Sequence, residues 1–523
     1  MRGVVAVHVL GEADAISPHS LGANEFTLGD LETVSSSREA SRGGSMFEAS
    51  RTVALADHFR IPYRLTASPQ EGELGMLTSE RGSQLLWPVR VPVELNAGPA
   101  TIAPPVGGGI QIFARVIDDA LAESLLSEHT GSWRRTIEIR DAQGSTFAWI
   151  WQERDGSVFL PFDPDEVCHN YWSERYVELA GSGGRGRLHR ALMRSYYCVR
   201  RALPRAAQIW LRRRYSRVQE RIAFPGWPAE PALHDFFDLF LGVLATVAAE
   251  PVPFIAPWPA GHRWALVLTH DVETAEGLTR VEPIVELERS LGLRSSWNFV
   301  PRRYEVSDSF VRELLRDGFE PGVHGLHHDG RDLVSLPQLR KRLPAMREAA
   351  ERWGAVGFRS PASHRNWDWM PLLGFDYDSS YPDTDPYEPQ SGGCCTWLPF
   401  FNGGMVELPI TMPHDHNLFV ILDEEDERLW IEKADFLRER GGMALIVTHP
   451  DYLVDERILR SYERFVRRYA HAEDVWKALP REVSSWWRRR SASRIERTAD
   501  GWSVIGAASP EARIEFATEM QWC

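Results

Sequence analysis

Long apolar runs, paired cysteines and any excess of positive charge are missing from this chain. The longest apolar stretch, around Phe236–Ala249, falls short of the roughly 20 residues that cross a bilayer. Cysteine is scarce: five in 523 residues, an odd number, with Cys394 and Cys395 adjacent and Cys523 last. No CxxC pair occurs, which argues against a zinc ribbon and against a disulfide framework. The 59 Lys and Arg residues are outnumbered by 73 Asp and Glu, a net charge of −14 that argues against nucleic acid as the main partner. The opening MRGVVAVHVLGEADAIS has an apolar run broken by His8 and stopped by Gly11–Glu12, without the apolar core and small-residue cleavage site of a secretory signal. These absences lead to the expectation of a cytoplasmic protein with no integral membrane segment. Nothing in the sequence sets its oligomeric state.

What is present is a globular composition, with 43% hydrophobic and 25% charged residues, in a chain long enough for two to four domains. There is no internal repeat at a fixed period. Residues 1–160 read as a β-rich N-terminal domain of unknown role: Leu85–Leu95 and Thr136–Gln152 alternate, and Asp141–Gly144 and Asp155–Gly156 are turn signals. Ser35–Met46, rich in Ser, Arg and Gly, reads as a mobile loop. Residues 161–258 read as a helical, basic connecting region with Pro-rich linkers and a Gly-rich break at Gly181–Gly186. Its crowded arginines (Arg212–Arg214, Arg217, Arg221) suit either an anionic polymer or membrane surface, or a solvated helix face paired with local acids, the commoner outcome.

From Arg263 strands and helices alternate. Trp264–Thr269 and Ser295–Val300 are apolar strands, Ser307 caps a helix ended by Gly318, and Met443–Val447 is a buried strand. Repeated β–α units imply a parallel sheet or barrel over 259–490, and 491–523 reads as a short β-like tail. Asp271, the His324–His328 pair, Arg359 and His449 fall where strands end, the side on which α/β barrels build their active sites. Two imidazoles and a carboxylate can hold a divalent ion with a position left for water, and a separate imidazole can protonate a leaving group. Taken singly these residues say little: in a chain with 17 histidines, about 0.5 pairs four apart arise by chance.

The ordered set says more. LTHDVE (268–273), GVHGLHHDG (322–330), GFRSP (357–361) and LIVTHPDY (445–452) resemble, in order, the motifs of the polysaccharide deacetylase family, the NodB-homology or carbohydrate esterase family 4 domain. FDYDSS (375–380) stands at the position of that family's more variable fourth motif. The resemblance covers about 230 residues of the C-terminal half and implies an α/β fold, a distorted (β/α) barrel related to TIM barrels. It also implies a hydrolase that removes N- or O-linked acetyl groups from a carbohydrate or glycan precursor. The implied cofactor is a divalent metal ion, zinc first, with cobalt, nickel or manganese as alternatives. By position, His324 and His328 match the metal imidazoles, Asp271 the catalytic base, Arg359 the residue that orients this base, and His449 the general acid.

One position departs from the pattern. The family's first motif has two adjacent aspartates, and here the second is Val272, which cannot bind metal. On a strand 271 and 273 share a face while 272 points away, so Glu273 is the reasonable substitute; Asp271 as ligand is the other repair. Val272 keeps two alternatives open: a metal-independent hydrolase of a non-peptide amide, like the allantoinase branch, or a degenerate glycan-binding barrel without turnover. Asp378, Asp415, His416 and Trp367 are further candidates for contact with substrate, and His414 for lining the cleft.

Overall fold

The computed structural model describes residues 45–66, 73–89, 98–105, 107–129, 131–180, 205–220, 222 and 224–519. Residues 35–44 of the expected mobile loop, the Gly181–Gly186 break and Cys523 lie outside them.

Alternating apolar residues in the first part of the chain pair into a single sheet. Strands β1 (Phe47–Ala49), β2 (Tyr63–Leu65), β3 (Leu74–Ser79), β4 (Gln84–Pro88), β5 (Gly98–Ala103), β6 (Ile110–Ala114), β7 (Arg134–Arg140), β8 (Thr146–Gln152) and β9 (Val158–Phe159) form nine strands in the order 2-1-3-4-9-8-7-5-6. The turn between β7 and β8 is set by Asp141, whose carboxylate accepts from the Gln143 and Ser145 amides at 2.9 and 2.8 Å, and by Gly144 at φ 85°. Short helices Pro164–Trp172 and Tyr176–Ala180 follow, then Arg205–Gln219 and the almost wholly buried Ala232–Ala248. That last helix is ended by Ala249 in the left-handed region and by Pro251 beyond it. Strand β10 (Val252–Ile255) leads on to the second sheet.

The second sheet carries the motifs. β11 (Trp264–Val272), β12 (Ser295–Phe299), β13 (Glu320–His324), β14 (Gly357–Arg359), β15 (Tyr377–Asp378), β16 (Phe400–Asn402), β17 (Met405–Glu407) and β18 (Met443–Thr448) run in the order 16-17-15-14-13-12-11-18. Every neighbouring pair is parallel except β16–β17, and the short β19 (Val475–Lys477) also pairs with β11. β11 is buried along its whole length, as expected of a strand covered on both faces. Ser307 caps the helix Asp308–Arg316 by accepting from the Phe310 amide at 3.3 Å, and Gly318, at φ 86°, follows its end. What is seen of the expected barrel is a curled, mainly parallel sheet. The segment after β17 meets β18 through one side chain and one backbone hydrogen bond. Thr411 Oγ1 donates to the Met443 carbonyl at 2.6 Å and accepts from the Leu445 amide at 2.8 Å, and the Met412 amide donates to the Leu445 carbonyl at 3.1 Å. A hairpin of β20 (Arg494–Thr498) and β21 (Gly501–Ile505) follows, and β22 (Ile514–Ala517) returns to pair antiparallel with β10.

One hydrophobic core runs through both sheets. Trp172 stacks on Phe400 at 5.2 Å and 3°. Arg365, wholly buried, meets Glu174 in a two-pronged pair at 2.6 and 2.5 Å, tying the helices after β9 to the loop after β14. Removing one member of a buried pair strands the other charge in the core. Glu174→Ala is therefore expected to destabilise the fold by about 3–5 kcal/mol, read from urea denaturation midpoints, and Glu174→Asp by distinctly less.

Candidate active site

Parallel register lines the polar residues up at one end of the sheet. Asp271 of β11 sits opposite Asn298 of β12, Asn298 opposite Gly322 of β13, and His324 opposite Arg359 of β14. His449 follows β18, on the other side of β11. The C-terminal ends of five adjacent strands thus converge, the placement in which open and closed α/β sheets build sites.

Asp271 is 3% exposed. Its Oδ1 accepts from Asn298 Nδ2 at 2.8 Å and from Arg359 at 3.1 Å, while Oδ2 lies 3.8 Å from His324 Nε2. Burial pushes this carboxyl up, but Arg359, His324 and His449 outweigh it and hold Asp271 well below the usual carboxylate range. Arg359 spends its remaining donors on Thr269 Oγ1 (2.8 Å), the Ser379 carbonyl (2.8 Å) and Ser379 Oγ (2.9 Å). Gly322 makes room for this arrangement: a Cβ there would meet Asn298 Oδ1 at 2.0 Å.

Beside Asp271, one ligand atom each of Glu273, His324 and His328 lies within 4.8 Å of the others. Glu273 Oε1 is 3.1 Å from His328 Nε2 and 3.9 Å from His449 Nε2. His324 donates through Nδ1 to the Arg359 carbonyl at 3.1 Å, which leaves the Nε2 lone pair free. Burial lowers the His324 pKa to about 4, so the ring is neutral. His328 Nε2 is buried without hydrogen-bond geometry to any partner, and its backbone holds φ 53°, a conformation rare outside glycine. Val272 between the two carboxylates is fully buried in the core, and its carbonyl accepts from the Tyr304 hydroxyl. Burial pushes Glu273 up as well, yet the surrounding histidines bring it below the usual range. The turn that carries it is pinned by Asp451, which accepts from the Glu273 amide at 3.0 Å and from the Thr274 hydroxyl.

His449 is held from behind. Asp415 accepts from its ring Nδ1 and from its backbone amide, both at 2.6 Å. Burial alone would lower the pKa of His449; Asp415, Glu273 and Asp271 override it and raise it to about 10. His449 is thus a cation hydrogen-bonded to a carboxylate.

The other sequence candidates are placed differently. Asp415 is fully buried behind His449 and faces no cleft. Asp378 is fully buried too: Ser380 donates to it at 2.7 Å, and burial raises its pKa to about 6. Trp367 packs between Phe400 (6.1 Å, 15°) and the edge of His169 (5.5 Å). His416 opens the π-helix His416–Ile421 with its ring 5.2 Å from Tyr452. His414, 6.4 Å from His449 between ring centres, belongs with Asp385 and Glu388 to a second close group. The Asn417 amide donates to both of those carboxylates at 2.9 Å and ties them together. Asn298, Asp451, Asp385 and Glu388 are absent from the sequence-based set. Asp451 lies inside a quoted motif and Asn298 is a polar residue in an apolar strand, so both left a signal; Asp385 and Glu388 left none.

No family model matches the chain, and no curated protein matches it. Solved structures do. One is named for a polysaccharide deacetylase from Mycobacterium smegmatis (21% identity, TM-score 0.36, 45% of this chain and 93% of that one). Another is the Puue allantoinase (16%, 0.36, 44% and 92%), and a third the family 4 carbohydrate esterase from Streptomyces lividans (13%, 0.28, 41% and 91%). Over less than half its length, then, the chain resembles polysaccharide deacetylases and family 4 esterases.

Two outcomes follow from the geometry. Gly322→Ala is expected to displace Asn298 from Asp271 and, by overpacking a buried strand, to destabilise the fold by about 1–3 kcal/mol, read from urea denaturation midpoints. For Asp415→Asn, His449 loses the partner that raises its pKa. Burial, which lowers the His449 pKa, is then opposed only by Glu273 and Asp271, so the protonated imidazole present in the parent up to about pH 10 is lost at a lower pH. The titration of the His449 ring, followed by NMR, should therefore move down by about two pH units or more.

Proposed function

We propose that the C-terminal half is a metal-dependent hydrolase that removes an acetyl group, N- or O-linked, from a carbohydrate or glycan precursor. The observation that carries this reading is the convergence of Glu273, His324 and His328 within 4.8 Å, beside an ionised Asp271 and a protonated His449. The donor set fits a divalent ion. His324 presents a free lone pair on a neutral ring, the buried Nε2 of His328 has no hydrogen bond, and Glu273 supplies an anionic oxygen between them. One carboxylate with two imidazoles suits zinc and leaves an open position.

Bound there, the ion supplies Lewis acidity at the bond being hydrolysed. The chain's own residues do the rest. Asp271, oriented by Arg359 and Asn298, takes the proton of the attacking water at its carboxylate. His449, on the far side of Glu273, gives its Nε2 proton to the departing amine or alcohol oxygen, and Asp415 holds the ring for that transfer. Base and acid stay distinct because their surroundings push the two groups to opposite charge states. The four-fold burial of this set, with Asp271, His324, Arg359 and His449 each under a tenth exposed, strengthens every one of these interactions over its value in water.

The expected result is that purified protein binds one equivalent of Zn²⁺ and releases acetate from acetylated amino sugars or sugar esters. EDTA should abolish release and Zn²⁺ or Co²⁺ restore it. Binding, followed by calorimetry, should disappear in His324→Ala and weaken by about 10- to 100-fold or more in Glu273→Gln. Turnover that resists chelation would replace this reading with the metal-independent amide hydrolase. An Asp271→Asn variant equal to the parent in every assay, with sugar binding retained, would replace it with the binding barrel.

A further inference from the structure

The helix Arg205–Gln219 carries a surface that the proposed hydrolysis does not use. Its inner side is fastened to the second sheet's loops. Arg212 donates to the Tyr387 carbonyl at 2.7 Å, Gln219 to the Pro386 carbonyl, and Arg213 to the Val420 carbonyl at 3.0 Å and the Asp423 carboxylate at 2.8 and 3.0 Å. The solvated-face reading of this basic run therefore holds for Arg213, which pairs with a local acid.

On the outer side the arginines are solvated but have no local acid among the described residues. Trp210 is 59% exposed and Val218 58% exposed, and Arg214 and Arg217 are exposed beside them. Positions 210, 214, 217 and 218 fall on one helical face. The Arg214 guanidinium lies over the Trp210 ring at 5.8 Å. No acidic partner of Arg214 or Arg217 is found among the described residues. The charge is segregated against the whole: residues 181–222 hold twelve arginines and a single acid, Glu220, in a chain of net charge −14. A large ring and a branched apolar side chain held in water gain by entering an apolar phase, and the guanidiniums between them gain by meeting phosphates. An anionic bilayer interface offers both at one plane. Nucleic acid offers the phosphates but no apolar layer for Val218.

We propose that the outer face of the helix Arg205–Gln219 docks this protein peripherally on an anionic lipid bilayer, with Trp210 and Val218 entering the headgroup boundary and Arg214 and Arg217 meeting lipid phosphates. The attachment lies on the surface: among the described residues no helix is long and apolar enough to cross a membrane. The docked helix rests directly on Pro386–Tyr387 and Val420, segments flanking the buried Asp385–Glu388–His414 group and the Asp415 that holds His449.

The test is cosedimentation of the full chain with vesicles, read without turnover, so that its outcome is independent of the hydrolase reading. Vesicles of phosphatidylcholine alone are compared with equal parts phosphatidylcholine and phosphatidylglycerol. The expected result is binding to the anionic vesicles only, weakening as salt is raised. Each arginine near such a surface is worth about fivefold in partitioning, so the Arg214→Gln/Arg217→Gln pair should lose about twentyfold or more. Trp210→Ser should lose binding as well while leaving the salt dependence in place. All three positions are exposed, and circular dichroism checks that the variants fold. The proposal is overturned by equal binding to neutral vesicles, by no binding to anionic ones, or by variants that bind like the parent. It is equally overturned if a single-stranded oligonucleotide binds more tightly than the vesicles and displaces them through the same residues.

Discussion

A guanidinium buried among strand ends organises the site. Arg359 and Asp271 are both taken out of water, and stripping two charges of solvent costs several kcal/mol each unless every donor and acceptor is met. The fold meets most of them, with four hydrogen bonds from Arg359 and two to Asp271 Oδ1. Thr269 and Ser379 take the remaining Arg359 donors, and Asn298 gives to Asp271. These partners come from the β11 strand, the neighbouring β12 and the turn after β15, so strand order and register are conditions for the pair. Gly322 is a condition too, since a side chain there would occupy the space of the Asn298 amide. The pair then fixes its surroundings in turn: the Arg359 carbonyl selects the His324 tautomer, and that choice leaves the other ring nitrogen facing Glu273 and Asp271.

Burial, usually a levelling influence on charge, here sorts the groups. The same dry environment depresses His324 to about 4 and leaves His449 near 10, though both are imidazoles at the C-terminal ends of strands in one sheet. The difference lies in what stands behind each ring. His324 backs onto a carbonyl dipole, His449 onto the full charge of Asp415. A neutral imidazole is a ligand, and a charged one is an acid. Two residues of one type are thus held in two charge states without any difference in their own chemistry.

Much of this was legible in the sequence wherever an apolar run ended in a polar residue. LVLTHD and ALIVTH mark β11 and β18, and the residues at their ends do stand at the convergence. The His324–His328 spacing alone carried little; its four motifs in order carried most of the resemblance. The alternating segments of the first 160 residues revealed strands but not their order, because β9 slots between β4 and β8 through contacts some 70 residues apart. Partnerships across loops were equally hidden. Asp415 and His449 are 34 positions apart, and a run such as His414–Asp415–His416 looks the same whether it lines a cleft or backs a catalytic ring. Exposure was hidden for a related reason, being a property of the packed sheet: Asp378 is fully buried, and Trp367 is half-buried against Phe400. Motif neighbours without periodicity, such as Asp385 and Glu388, left no trace to read.

Val272 now has a physical account that turns on the pleat. Along β11 the side chains alternate, so Asp271 faces Arg359 and His324 while Val272 enters the core at zero exposure. A carboxylate at 272 would have to leave that core to reach the histidines, and its carbonyl is already engaged by Tyr304. Glu273, one residue on, returns to the polar side just where the strand ends, and Asp451 clamps its backbone amide there. Its longer side chain reaches 3.1 Å from His328 and 3.9 Å from His449, so one carboxylate stands between two imidazoles that follow different strands. Moving the anion from 272 to 273 is therefore a change of place as well as of length: the position depends on the reach of a glutamate and on the Asp451 clamp that aims it.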